Sequence, residues 1–117
     1  MATNLPEACG LGPAFLVISG KWKGTILWLC RKQPRRYGEL RRLIPDVSEK
    51  MLIQHLKEMV ADGLLDREDF GEVPPRVVYS VTELGLELDD VLAPLAHWGL
   101  KHSDRLVRDR PMSMVEA

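Results

Sequence analysis

Apolar and polar positions change their spacing several times along the chain, and each change marks an element. Pro13-Ala14-Phe15-Leu16-Val17-Ile18 is an apolar run closed by Ser19-Gly20, and Pro13 suits the first position of a short helix. Between Lys21 and Lys32, Trp22, Ile26, Leu29 and Cys30 recur at i, i+4, i+7 and i+8, the spacing of one helical side. Gln33-Pro34 stops that helix. Arg35-Arg36-Tyr37 reads as a short extended piece, and residues 38–44 as a third helix with Gly38 at its cap. Pro45-Asp46-Val47 is a tight turn. Ser48 then offers an N-cap for a fourth helix with Glu49 in its first turn. Asp62-Gly63 ends it, because glycine takes the left-handed C′ conformation without penalty.

Beyond Gly63 the period shortens. Residues 64–70 and 76–81 read as two strands, joined by Gly71-Glu72-Val73-Pro74-Pro75. The two prolines cannot donate to a ladder and belong in the connection. Thr82 caps a long last helix whose apolar residues Leu84, Leu88, Val91, Leu92, Leu95 and Trp98 recur at near-heptad spacing, with Pro94 expected to kink it. This order predicts an α+β, mainly α fold: a winged helix-turn-helix with a two-stranded wing and terminal helices left over for dimerisation. The 117 residues make one domain, 1–117, with a fraying tail at 111–117.

Composition narrows the class. Two cysteines do not make a disulfide framework, and no apolar run approaches the length of a membrane span. The N-terminus lacks a basic start and long apolar stretch, so the expectation is a cytoplasmic protein without membrane contact. A net charge of −1 hides an uneven distribution. Residues 21–57 hold ten Lys/Arg against Glu39, Asp46 and Glu49, so one part of the chain is strongly basic and the rest acidic. Such a split suits a face turned toward phosphates.

The fourth helix carries the candidate chemistry. At about 100° per residue, Leu52, Leu56, Met59 and Val60 fall together and should pack inward. Lys50, Gln54 and Lys57 fall on the opposite stripe, flanked by Met51 and Ile53. Gln pairs bidentately with adenine, Lys reaches guanine or phosphate, and Met or Ile meets a thymine methyl. Ser48 and the helix N-terminus suit a backbone phosphate. Any surface helix turns polar residues outward. Here, position as the second helix of a helix-turn-helix within the basic half favours the DNA reading. Arg35, Arg36 and Arg41 are assigned to flanking phosphates.

Several blocks resemble the HxlR family of bacterial transcription factors, within the MarR-like superfamily. They are Gly20-Lys21-Trp22-Lys23, residues 35–40, residues 44–52, Asp62-Gly63-Leu64, residues 72–85 and Trp98-Gly99, in family order across roughly 9–99. The resemblance implies a winged-helix homodimer on pseudo-palindromic operator DNA, with the first and last helices making the dimer. It also makes Arg76 a wing contact to minor groove or phosphate. Cys9 matches an N-terminal cysteine that in some relatives senses oxidants, quinones or aldehydes, so the implied effector is a small electrophile or oxidant.

Surface arithmetic points the same way for the dimer. A three-helix core cannot cover the apolar sides of both terminal helices, so Phe15, Val17, Leu92, Leu95 and Trp98 are expected to meet a second copy. Cys9 is the candidate sensor thiol, the alternative being an unreactive cysteine near the dimer seam. Cys30 reads as a small core residue. His55, His97 and His102 lack metal-ligand spacing, and neither a cofactor nor catalysis is expected. Asp89-Asp90 reads as a solvated helix face. A second function, from another class, is a winged helix for protein–protein contacts without operator specificity. A thiol enzyme built on Cys9 lacks a histidine placed to activate it.

Overall fold

In the computed structural model, residues 10–108 are described. Six helices and three strands follow in the order α1 (Leu11–Ile18), α2 (Lys23–Lys32), β1 (Arg35–Arg36), α3 (Tyr37–Leu43), α4 (Glu49–Ala61), β2 (Leu65–Asp69), β3 (Val77–Val81), α5 (Glu83–Lys101) and α6 (Ser103–Val107). No helix among them is long and apolar enough to cross a membrane. Cys9 and the tail 111–117 lie outside the described residues.

The core is assembled from one side of each element. Ile26, Leu27, Leu29 and Cys30 of α2 meet Leu40 of α3, Leu52, Leu56 and Met59 of α4, and Leu64, Leu65 and Tyr79 from the strand region, all buried. Val17 and Leu92 pack against this cluster only in part, at its margin. Burying such side chains contributes roughly 1.5–3 kcal/mol each.

The sheet has three strands, not two. β2 and β3 pair antiparallel, with Leu65 opposite Val81 and Asp69 opposite Val77. On the other edge of β3, Arg35 and Arg36 face Tyr79 and Val78, giving the order β1-β3-β2. The extended piece between α2 and α3 is therefore a strand. Its partner lies more than forty residues away, which local patterning does not reveal. Tyr37 is helical, and Arg36 occupies the N-cap of α3, its N–H donating to Glu39 Oε1 at 3.0 Å. Gly38 thus sits inside the first turn and not at the cap.

Side chains cap the starts of α4 and α5, and backbone bonds around a glycine close the far end of α4. Ser48 Oγ accepts from the Met51 N–H at 3.1 Å. At the far end of α4, Gly63 has φ +80°, its N–H donates to Val60 O at 3.0 Å, and Leu64 N–H reaches Met59 O at 2.9 Å. That pair of bonds is the Schellman closure, which a left-handed residue makes possible. Thr82 joins two elements: its hydroxyl donates to Gly63 O at 2.6 Å and accepts from the Gly85 N–H at 3.0 Å. Gly85 then lets α5 approach closely, since a Cβ there would lie 2.4 Å from Leu64 O and 2.6 Å from Val81 Cγ2. α5 runs through Pro94 without interruption to Lys101.

Candidate nucleic-acid interface

α4 is sealed beneath and open above. Leu52, Leu56 and Met59 are at most 1% exposed, while Lys50, Met51, Ile53, Gln54 and Lys57 all face solvent. Lys50, Gln54 and Lys57 share a shallow depression of about 480 Å³ with Glu49 and Ile53. A second groove, of about 490 Å³, runs between α4 and the sheet, floored by Ile53, Leu56, Val60 and Tyr79 and flanked by Lys57 and Arg67. Arg67 was not singled out from the sequence. Its signal was available, because Leu65 and Arg67 share one face of β2 at a spacing of two, and that face looks toward α4.

The helix is held in register by a partly buried charge cluster. Lys23 of α2 is 3% exposed and places Nζ 3.3 Å from Glu58 Oε1. The Lys23 ammonium holds the Glu58 carboxyl below the usual carboxylate range. Buried His55 lies alongside, its Nδ1 3.5 Å from the same oxygen and without a hydrogen-bond partner among the described residues. The left-handed turn at Gly20, φ +89°, passes over the His55 ring. His55 thus belongs to the packed side of α4, beside the cluster that orients the helix.

The predicted arginines divide by what already occupies them. Arg36 is exposed, beside α3. Arg35 is half-buried and its Nε donates to Leu29 O at 2.9 Å, fixing the α2–β1 corner. Arg41 Nη1 donates to Val47 O at 2.8 Å, bracing the turn before α4. In the wing, Phe70 N–H donates to Arg76 O at 3.0 Å. Arg76 forks onto Glu72, Nε to Oε2 at 2.9 Å and Nη2 to Oε1 at 3.1 Å, and its guanidinium covers the Phe70 ring at 3.6 Å. Arg76 in turn lowers the Glu72 carboxyl below its ordinary value.

Two expectations are corrected. Asp89 is 6% exposed and no part of a solvated face: its Oδ2 accepts from Arg31 Nη1 at 2.9 Å, and the same nitrogen reaches Asp90 Oδ1. With Lys23 neutralised by Glu58 and Arg31 by these aspartates, part of the basic excess of residues 21–57 holds the fold together instead of lining a surface.

Of the dimer candidates, Phe15, Leu95 and Trp98 are about half exposed, whereas Val17 and Leu92 are shared with the core. Leu11, Leu16, Val91 and Leu100 add to this uncovered apolar area. Cys30 is buried, and desolvation pushes its thiol up to about 12.

A helix-turn-helix of α3 and α4, an open polar stripe on α4 and a wing beside it define a winged-helix DNA-binding transcriptional regulator. Residues 17–106 match the family described as HxlR-like helix-turn-helix, and the chain belongs to that family. It is 47% identical over 109 residues to the uncharacterized HTH-type transcriptional regulator YkvN of Bacillus subtilis, covering 93% of this chain and 92% of that protein. The redox regulator HypR in its reduced form superposes with a TM-score of 0.78 at 36% identity, over 84% of this chain and 97% of HypR. A MarR-family transcriptional regulator from Porphyromonas gingivalis W83 does so with 0.76 at 37%, over 85% and 97%. These relatives are named as regulators and not as enzymes.

Proposed function

We propose that the protein is a sequence-specific operator-binding regulator that acts as a homodimer in the cytoplasm. The single observation that carries this reading is the one-sided exposure of Lys50, Gln54 and Lys57 above a sealed apolar underside. Gln54 offers the bidentate pairing that adenine accepts, the lysines reach guanine or phosphate, and Met51 and Ile53 meet thymine methyls. Ser48, Arg36 and the remaining N–H groups of Arg35 and Arg41 hold the flanking phosphates, with Arg67 added to that set from its place opposite Lys57. Arg76 approaches the adjacent minor groove or backbone once it exchanges Glu72 for phosphate. Two-fold pairing through Phe15, Val17, Leu92, Leu95 and Trp98 makes the operator pseudo-palindromic.

Binding should be measured by fluorescence anisotropy on DNA from upstream of the protein's own gene, against a scrambled duplex. Replacing Lys50, Gln54 and Lys57 together by alanine is expected to abolish discrimination while leaving the folded state intact. Unchanged discrimination overturns the reading. With four or five phosphates neutralised per subunit, log K should fall against log salt with a slope of roughly −7 to −9 for the dimer.

The effector reading rests on Cys9 and is supported by likeness to HypR, a redox regulator. A small oxidant or electrophile modifies Cys9 and lowers operator affinity. A Cys9→Ser variant that still loses DNA under peroxide or quinone removes this assignment.

A further inference from the structure

The long helix α5 leaves the domain at a defined point. Its start is fixed where Thr82 ties the α4 terminus to α5 and where Gly85 lies against the Leu64 carbonyl, too close for any side chain. One turn later Asp89, 6% exposed, and Asp90 accept from a single nitrogen of Arg31, in the last turn of α2. Leu92 makes the final contact with the core, and from Ala93 to Trp98 every residue is exposed. Two anchor points on a rigid helix set its direction, and the second of them is ionic. Of the two aspartates, Asp89 is the one drawn inside, so its charge is held where a misaligned partner would leave it unpaired.

We propose that the Arg31–Asp89–Asp90 clamp sets the angle at which α5 leaves the DNA-binding domain, and so selects the distance between operator half-sites. The inference rests on the homodimeric operator reading above. The segment from Leu92 to Lys101 is roughly 14 Å long at 1.5 Å per residue, so a tilt of about 15° moves its end by roughly 3–4 Å. That displacement is about the rise of one base pair, ~3.4 Å. A two-fold dimer applies the tilt in both subunits, so the recognition helices shift relative to each other by about two base pairs. Arg31 and Asp89 are positioning residues here: they meet no base, and they act through where they send the apolar half of α5.

The test is a series of operators in which the two half-sites are moved together or apart one base pair at a time, together with a duplex carrying one half-site. The wild-type chain should bind one spacing best, by about tenfold over spacings two base pairs away. In the double variant Arg31→Met with Asp89→Leu, the buried carboxylate and its partly exposed partner are both replaced by apolar groups, which preserves folding where loss of Arg31 alone would strand the buried charge. It should bind the lone half-site as the wild type does, yet vary by less than about threefold across spacings. Arg31→Lys keeps the charge on a shorter side chain, which sets the single bridging nitrogen back from the two carboxylates, and should give a preference of intermediate sharpness; if the double variant fails to fold, this variant decides. A folded variant that keeps the wild-type profile overturns the inference, because a merely structural loss would lower affinity equally at every spacing. A wild-type chain that recognises the half-site but shows a flat profile overturns it as well, leaving the operator reading standing. A wild-type chain that does not distinguish the half-site from scrambled DNA removes both.

Discussion

The fourth and fifth helices are both amphipathic, and their outward faces have opposite character. α4 turns Lys50, Gln54 and Lys57 to solvent over Leu52, Leu56 and Met59. α5 buries Gly85 and Asp89 against the domain and shows Val91, Leu95, Trp98 and Leu100 to the outside. A polar face over an apolar floor is complete in water and waits for a charged ligand. An apolar face left uncovered beyond a polar anchor is incomplete in water and calls for protein. The ends of the two helices meet at Thr82, so one small domain presents a polar surface and an uncovered apolar surface from opposite logic.

The contrast can be broken most forcefully on α5. A two-fold interface counts every lost contact twice, so Leu95→Ala with Trp98→Ala should weaken dimerisation by several kcal/mol, at roughly 1.5–3 kcal/mol per buried side chain per subunit. Analytical ultracentrifugation should find monomers whose unfolding midpoint in urea is little changed. Next comes the floor of α4. Leu56→Ala, at a site 1% exposed, should lower unfolding free energy by about 2–5 kcal/mol and take DNA binding with it, read by urea titration. A smaller effect is expected at the entrance to α4, where Ser48→Ala removes the acceptor for Met51 N–H and should cost about 1 kcal/mol of stability.

The smallest effect is the response to acid. Glu58 is lowered from its ordinary 4.5 by Lys23, so its contribution is fully present above that value and is lost as pH falls through the lowered one. Stability below about pH 4.5 should therefore decline less steeply in Glu58→Gln than in the wild type, as followed by thermal melts across the acid range. Equal slopes would mean that the Lys23–Glu58 contact adds nothing to the fold. Thiol chemistry sharpens the same inside–outside division: Cys30, raised to about 12, should resist a maleimide at pH 8 until denaturant is added.

What could be read from the sequence was what the chain encodes locally. Ser48 and Thr82 announce helix starts by a side-chain acceptor three residues before the N–H it takes, Gly63 announces a helix end by its left-handed backbone, and the inward side of α4 follows from spacing alone. The parts that escaped involve distant partners. β1 is two residues long and exists because β3 offers an edge. Lys23 and Asp89 look like solvent-facing charges until Glu58 and Arg31 are brought to them across the fold. Arg67 escaped for a different reason: it is one cation among four acidic or apolar neighbours in β2, and only its alternation with Leu65 marks it out. The chemistry of the exposed stripe was legible because it is concentrated on one helix, while the arginines, spread over three elements, could not be sorted into those that brace the fold and those left to the surface.

The fork between Arg76 and Glu72 has a consequence for how the wing responds to ions. An arginine that already holds a carboxylate does not simply add a new attraction on reaching a phosphate, because it leaves behind an anion that draws a cation from solution. Ion uptake at Glu72 then partly cancels the release at the phosphate, so the wing should add little to the steepness with which salt dissociates the complex. Glutamine at position 72 would uncover that hidden contribution, giving a regulator that holds DNA more tightly in dilute buffer and lets go more abruptly as salt rises.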